Sequence, residues 1–133
     1  MKEMPRRAYL IALALATCIL AVPAGAEDVA GKWKTEFDTM IGIQKYVFDF
    51  KVEDGTLSGD AHYERVGIGQ EGDVTLTECT LAGDEIGFRE PFEVQGTPVP
   101  IIYKGKIAGD EISFTRWVGD FQPETFTATR VKE

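Results

Sequence analysis

The chain has 133 residues and carries 14 lysines and arginines against 22 aspartates and glutamates, a formal net charge of −8. That length supports one domain of ordinary size, and the acidic balance repels phosphate backbones and anionic lipid, which argues against nucleic-acid and membrane-surface binding. An apolar fraction of 44% is ordinary for a globular protein and argues against disorder.

The N-terminus reads as a secretory signal. Lys2, Arg6 and Arg7 form a basic n-region, residues 8–22 are apolar or small without a break, and Pro23-Ala24-Gly25-Ala26 supplies a helix breaker and a small-x-small cleavage site. The expected division is a signal peptide over 1–26 and a single β-barrel domain over 27–133. The apolar run is shorter than the ~20 residues that a bilayer span needs and no second one follows, so no integral membrane segment is expected. Leu15-Ala16-Thr17-Cys18 resembles a lipobox, which would anchor the protein as a lipoprotein at Cys18. Thr17 departs from that pattern and the apolar run continues past the cysteine, which favours a free exported protein, periplasmic or secreted.

Cleavage after Ala26 would remove Cys18 and leave Cys79 alone, so the fold must rest on its core rather than on disulfides. His62 is the single histidine, and no Cys/His cluster has metal-ligand spacing. Neither a metal nor a cofactor is expected.

The remaining chain alternates and turns. Trp33, Thr35 and Phe37 alternate within 31–39. Tyr46, Phe48, Phe50 and Val52 then recur at every second position, the period of a half-buried strand. Asp54-Gly55 follows as a two-residue hairpin turn, which sets Val52 opposite Leu57, Phe50 opposite Gly59, Phe48 opposite Ala61 and Tyr46 opposite Tyr63. The pattern apolar-Ala-Gly-Asp-Glu-Ile-x-Phe occurs twice, at 81–88 and 107–114, with Gly-Asp at the turn. In the middle hairpin Leu81 should face Ile86, Cys79 should face Phe88, and Thr77 should lie beside Glu90. In the last, Ile107 should face Ile112, Gly105 Phe114, Tyr103 Arg116 and Ile101 Val118. A glycine under a phenylalanine ring relieves crowding inside a curved sheet. Phe126 and Ala128 alternate in a final strand over 124–132. The expected fold is all-β, an eight-stranded up-and-down antiparallel barrel, because closure removes exposed edges. A two-sheet sandwich is the competing arrangement.

Gly31-Lys32-Trp33 on the first strand, followed by a meander of hairpins, resembles the calycin group of lipocalin-like barrels. The stretches 44–52, 109–116 and 118–121 are also similar to small exported bacterial domains sometimes catalogued with glycoside hydrolases. The resemblance implies a barrel and a carbohydrate context, and brings no catalytic motif with it.

The three tight turns share one end of the barrel, where Val52, Leu57, Leu81, Ile86, Ile107 and Ile112 should make an apolar floor. The longer connections, 64–73, 90–99 and 119–123, share the other end with Met40 and Ile41, and there the inner face turns polar. The candidate ligand-binding residues are Tyr46, Tyr63, Glu90, Tyr103 and Arg116, with Thr77 nearby. An apolar floor under convergent polar groups is the layout of a small-molecule pocket, here for a carbohydrate or an anionic ligand. The same residues could instead form a hydrogen-bonded plug that fills the barrel. Arg116 would bind an anionic ligand group in the first case, and in the second pair with Glu90 or Asp120 or lie at the rim with its head in water.

Other positions point outward. His62 lies opposite Val47, Asp49 faces Asp60, Glu78 faces Arg89, and Trp117, Phe121 and Phe92 could form an exposed aromatic patch. Only Ser58 and Ser113 are present beyond the signal, neither in a Gly-x-Ser-x-Gly elbow, which excludes a serine hydrolase as a working reading. A glycosidase needs two carboxyl groups across one cleft, and the register supplies only Glu90 inside, with Asp120 or Glu64 available from the loops. Proton-transfer chemistry by a lyase, isomerase or cyclase, using Tyr, Glu and Arg in the barrel mouth, stands as the alternative to binding.

Overall fold

In the computed structural model, which describes residues 29–132, the alternating stretches fold as strands. They are β1 Gly31–Thr39, β2 Gly42–Glu53, β3 Thr56–Arg65, β4 Gln70–Thr75, β5 Thr77–Ala82, β6 Glu85–Glu90, β7 Glu93–Val94, β8 Thr97–Pro98, β9 Ile101–Ala108, β10 Glu111–Val118 and β11 Glu124–Arg130. A single 3-10 turn, Val66–Ile68, lies between β3 and β4. The expected signal peptide, its cleavage site and Cys18 lie outside the described residues.

Nine strands form one antiparallel sheet in the order β4-β3-β2-β1-β11-β10-β9-β6-β5, while β7 and β8 make a separate two-stranded ribbon. The two ends of that order, β4 and β5, are consecutive in the chain and separated only by Leu76. The Leu76 N–H donates to the Gly59 carbonyl at 2.9 Å, so the sheet curls almost onto itself. The result is a nearly closed barrel, not a sandwich. Nine strands replace the expected eight because the chain breaks at Leu76, leaving β3 and joining β6. The segment 70–73, expected in a loop, is part of β4.

The first hairpin keeps its expected register throughout, including Tyr46 with Tyr63 and Phe50 with Gly59. The last does the same, with Gly105 opposite Phe114 and Tyr103 opposite Arg116. Asp54 and Gly55 both take positive φ (53° and 78°), as a right-twisting two-residue turn requires. The middle hairpin departs from expectation. Leu81 faces Ile86 and Thr80 faces Gly87 in the expected register, but the register then shifts, pairing Thr77 with Arg89. Glu78 sits in the shifted stretch at φ 49°, a bulge that carries Thr77 away from Glu90 and out to solvent.

Aromatic rings fill the interior. Trp33, Phe48, Phe50, Phe88, Phe114 and Tyr103 are all essentially without exposure. Phe88 stacks on Tyr103 at 4.6 Å, and Phe37 on Phe126 at 4.1 Å. At the hairpin end Leu57, Ile86, Ile107 and Ile112 are buried, with Val52 and Leu81 packed against them. A Cβ at Gly59 would meet the Phe50 ring at 2.9 Å and one at Gly105 the Phe114 ring at 2.7 Å, so each phenylalanine covers bare backbone. Trp33 closes this end: its indole N–H donates to the Val29 carbonyl at 2.9 Å, and the Arg130 guanidinium lies 4.4 Å over its ring.

Candidate functional site

At the opposite end the inward positions turn polar. Alternation places Gln44 and Tyr46 on β2, Arg65 on β3, Glu90 on β6, Tyr103 on β9 and Arg116 on β10 in one buried layer. Glu90 is its centre. Its carboxylate accepts from the Tyr46 hydroxyl at 3.0 Å, the Tyr103 hydroxyl at 2.7 Å and Arg65 Nη2 at 3.1 Å. The tyrosine oxygens in turn accept from Arg116, whose Nε lies 3.0 Å from Tyr103 and whose Nη2 lies 3.4 Å from Tyr46. Arg116 Nη2 also reaches Gln44 Oε1 at 3.4 Å, and its Nη1 donates to Glu124 Oε1 at 2.6 Å.

Polarity therefore runs one way, from Arg116 through the two hydroxyls to Glu90. Two guanidiniums face two carboxylates, so the layer is neutral as a whole. Burial, with Glu90 second, pushes the Tyr46 phenol up to about 12 and the Tyr103 phenol well above its ordinary value, which keeps both protonated as donors. Every buried side-chain nitrogen and oxygen among the described residues has a hydrogen-bond partner. The interior at this level is a plug rather than an open polar mouth.

Four of the five candidate residues, Tyr46, Glu90, Tyr103 and Arg116, thus meet in one network. Tyr63 does not join it. Half-buried, its ring supports the Arg65 guanidinium at 4.0 Å, with Phe92 5.0 Å away on the same cation. The ion pairs also differ from expectation: Arg116 pairs with Glu124 rather than with Glu90 or Asp120, and Glu90 pairs with Arg65. Arg65, Gln44 and Glu124 are additions that sequence reasoning missed. The parity of Tyr63 assigns Arg65 to the inner face once β3 is extended by two residues, and the parity of Tyr46 does the same for Gln44.

Above Arg65 the surface opens into a rim groove of about 460 Å³ between β3–β4 and the segment leaving β6. Tyr63, Arg65, Gln70, Glu71, Asp73 and Phe92 line it. Phe92 is packed against the core here, not in an exposed patch with Phe121. Beside the groove His62 is exposed on the outer face, its Nδ1 2.8 Å from Asp73 Oδ1 and its Nε2 2.9 Å from Glu71 Oε2. The Glu78–Arg89 pair forms as expected on the outer wall at 3.0 Å, where it contributes little. Burial raises the pKa of the Cys79 thiol, which makes it a poorer nucleophile.

Among the described residues no group of three or more His, Cys, Asp or Glu could hold a metal ion, and no helix is long and apolar enough to cross a membrane. The barrel is consistent with a calycin-like fold. No family model, curated protein or solved structure matches the chain.

Proposed function

We propose that this barrel is an exported binding module whose small-molecule ligand seats in the rim groove, above the buried plug. The groove carries the reading: it is an open recess of about 460 Å³ at the end where the polar residues converge. Gln70, Glu71 and Asp73 offer acceptors to ligand hydroxyls, while Tyr63 and Phe92 offer apolar ring surface. Arg65, stacked on both rings and tied to Glu90, fixes the base of the groove. In this reading Tyr46, Glu90, Tyr103 and Arg116 support the site from behind.

The ligand class that fits is a neutral, hydroxyl-rich molecule such as a carbohydrate, in keeping with the resemblance to glycoside hydrolase-associated domains. An anionic ligand loses its main support, because the Arg116 guanidinium is committed to Glu124 and two tyrosines, and the groove itself is acidic. Proton-transfer chemistry is less well supported than binding. Its tyrosines are held protonated, and its carboxylate already accepts three side-chain donors.

Titrating isotope-labelled protein with neutral and anionic mono- and oligosaccharides tests the proposal. Shifts confined to 63–74 and 91–93 with the neutral sugars, lost in Tyr63→Ala and Phe92→Ala, are expected. A full panel without such shifts would overturn it. N-terminal sequencing of secreted material tests the export element, with Glu27 as the expected first residue.

A further inference from the structure

The exposed apolar side chains are not spread evenly. Of the eight large apolar residues exposed among those described, two, Ile43 and Val47, lie on β2 and are the least exposed; the other six are Met40, Ile41, Val66, Ile68, Val94 and Phe121, with Met40 at 81% and Phe121 at 60%. All six lie on the connections at the groove end of the barrel. The three hairpin turns at the floor, Asp54-Gly55, Gly83-Asp84 and Gly109-Asp110, carry none. Isolated surface apolar residues mean little, but a concentration on one end marks an interaction surface.

The rim connections are also tied together. The β1–β2 turn rests on the Val66–Ile68 turn so closely that a Cβ on Gly67 would collide with the Ile41 carbonyl, and one on Gly42 would come within 3.0 Å of Gly67 Cα. Met40 and Ile41 therefore stand beside Val66 and Ile68 as one ridge. Across the rim, the Gly119 N–H donates to the Pro100 carbonyl at 2.9 Å, joining the Phe121 loop to the end of the Val94 ribbon.

Charge around these tips is mostly acidic. Asp38, Glu64, Glu71, Glu93 and Asp120 are exposed near the rim. The basic groups there are committed: Lys45 lies 3.8 Å from Glu36, and Arg65 and Arg116 are buried in their own ion pairs. Two copies meeting rim to rim would set these acids against each other, and an anionic bilayer would repel them.

We infer that the rim is a docking surface for a protein segment that presents an apolar face bordered by lysine or arginine. The apolar tips supply the contact and the acidic ring supplies orientation and selection. This inference is independent of the groove's ligand.

The test uses a synthetic amphipathic helix of leucine and lysine, and the same helix with glutamate in place of lysine. Binding is measured at physiological salt, where the Debye length is about 8 Å. Saturable binding of the lysine form, with amide shifts confined to the four rim connections and no binding of the glutamate form, is expected. Met40→Ser/Phe121→Ser, at the two most exposed tips, should weaken binding at least tenfold while leaving the melting temperature unchanged; Ile68→Ser is the independent second variant. Failure of the lysine form to bind, equal binding of the glutamate form, or affinity within tenfold of wild type in both variants would overturn the inference. Self-association of the wild type that the variants abolish would reassign the surface to a second copy. Variant-sensitive co-sedimentation with phosphatidylcholine vesicles would reassign it to lipid.

Discussion

The two ends of this barrel fill the same kind of space with opposite chemistry. At the hairpin end Leu57, Ile86, Ile107 and Ile112 pack against rings laid over Gly59 and Gly105. Those contacts are non-directional, and swaps that conserve volume are tolerated. At the rim end Arg65, Glu90, Tyr46, Tyr103 and Arg116 occupy equivalent inward positions, and each polar atom depends on the placement of another. A buried ion pair adds little net stability while it is intact, but removing one member leaves an uncompensated charge. Tyr103 sits at the boundary and serves both halves, its ring on Phe88 and its hydroxyl on Glu90. The floor thus supplies stability, whereas the rim supplies a single fixed arrangement on which an exposed surface can be built.

Truncating the rim network at Arg65 should test that contrast most severely. Arg65 and Glu90 side chains are only 5% and 1% exposed, so Arg65→Met leaves the Glu90 carboxyl in a dry site without its ion-pair partner. A loss of about 3–5 kcal/mol in urea unfolding is expected. Glu90→Met on that background should recover much of it. If the double variant is no better than the single, the cost lies in lost packing on Tyr63 and Phe92 and not in the orphaned charge.

Arg116→Met should cost less, roughly 1.5–3 kcal/mol, the range for a hydrogen bond to a charged group. Its counter-ion Glu124 is 24% exposed and can turn to water, and Glu90 keeps Arg65. An unchanged or raised melting temperature would return Arg116 to the role of a ligand-binding charge. On the floor side, Gly105→Val places a side chain where the Phe114 ring and Ile112 already lie within 2.8 Å of the new Cβ. Overpacking of this kind costs roughly 1–3 kcal/mol. A denaturant midpoint equal to wild type would mean that the ring moves freely and the floor is looser than its packing implies.

The same contrast explains what could be read from sequence. Pairing within a hairpin follows from its turn, so Tyr46 with Tyr63 and Tyr103 with Arg116 were legible from Asp54-Gly55 and Gly109-Asp110 alone. The bulge at Glu78 was not, because a non-glycine residue takes the positive φ there without any local signal. Contacts across the barrel were harder still. Tyr46 and Glu90 are 44 positions apart, and only closure through Leu76 brings their strands face to face. Arg65 was missed because Gly67, Gly69 and Gly72 read as a loop. Gly72 in fact lies on β4 opposite Tyr63, where a Cβ would sit 2.7 Å from the hydroxyl, the same ring-over-glycine device as at Gly59 and Gly105.

The smallest effect belongs to His62, which repeats the rim's pairing of a cation with two acceptors but does so on the exposed outer face. Hydrogen bonds from both ring nitrogens, to Asp73 at 2.8 Å and Glu71 at 2.9 Å, require both to carry a proton. Bonding to Asp73 first and Glu71 second therefore raises its pKa above the ordinary 6.5. Because the folded value is the higher one, the stabilising contribution is complete below 6.5 and fades as pH rises through the folded value. Solvent screening keeps that contribution small. His62 is the chain's single histidine, so its ring protons give an unobstructed NMR titration. Asp73→Asn should lower the midpoint more than Glu71→Gln does. A wild-type midpoint at or below 6.5 would show that the two carboxylates prefer water to the imidazolium, and that pairing at this end of the barrel persists only where the groups are buried.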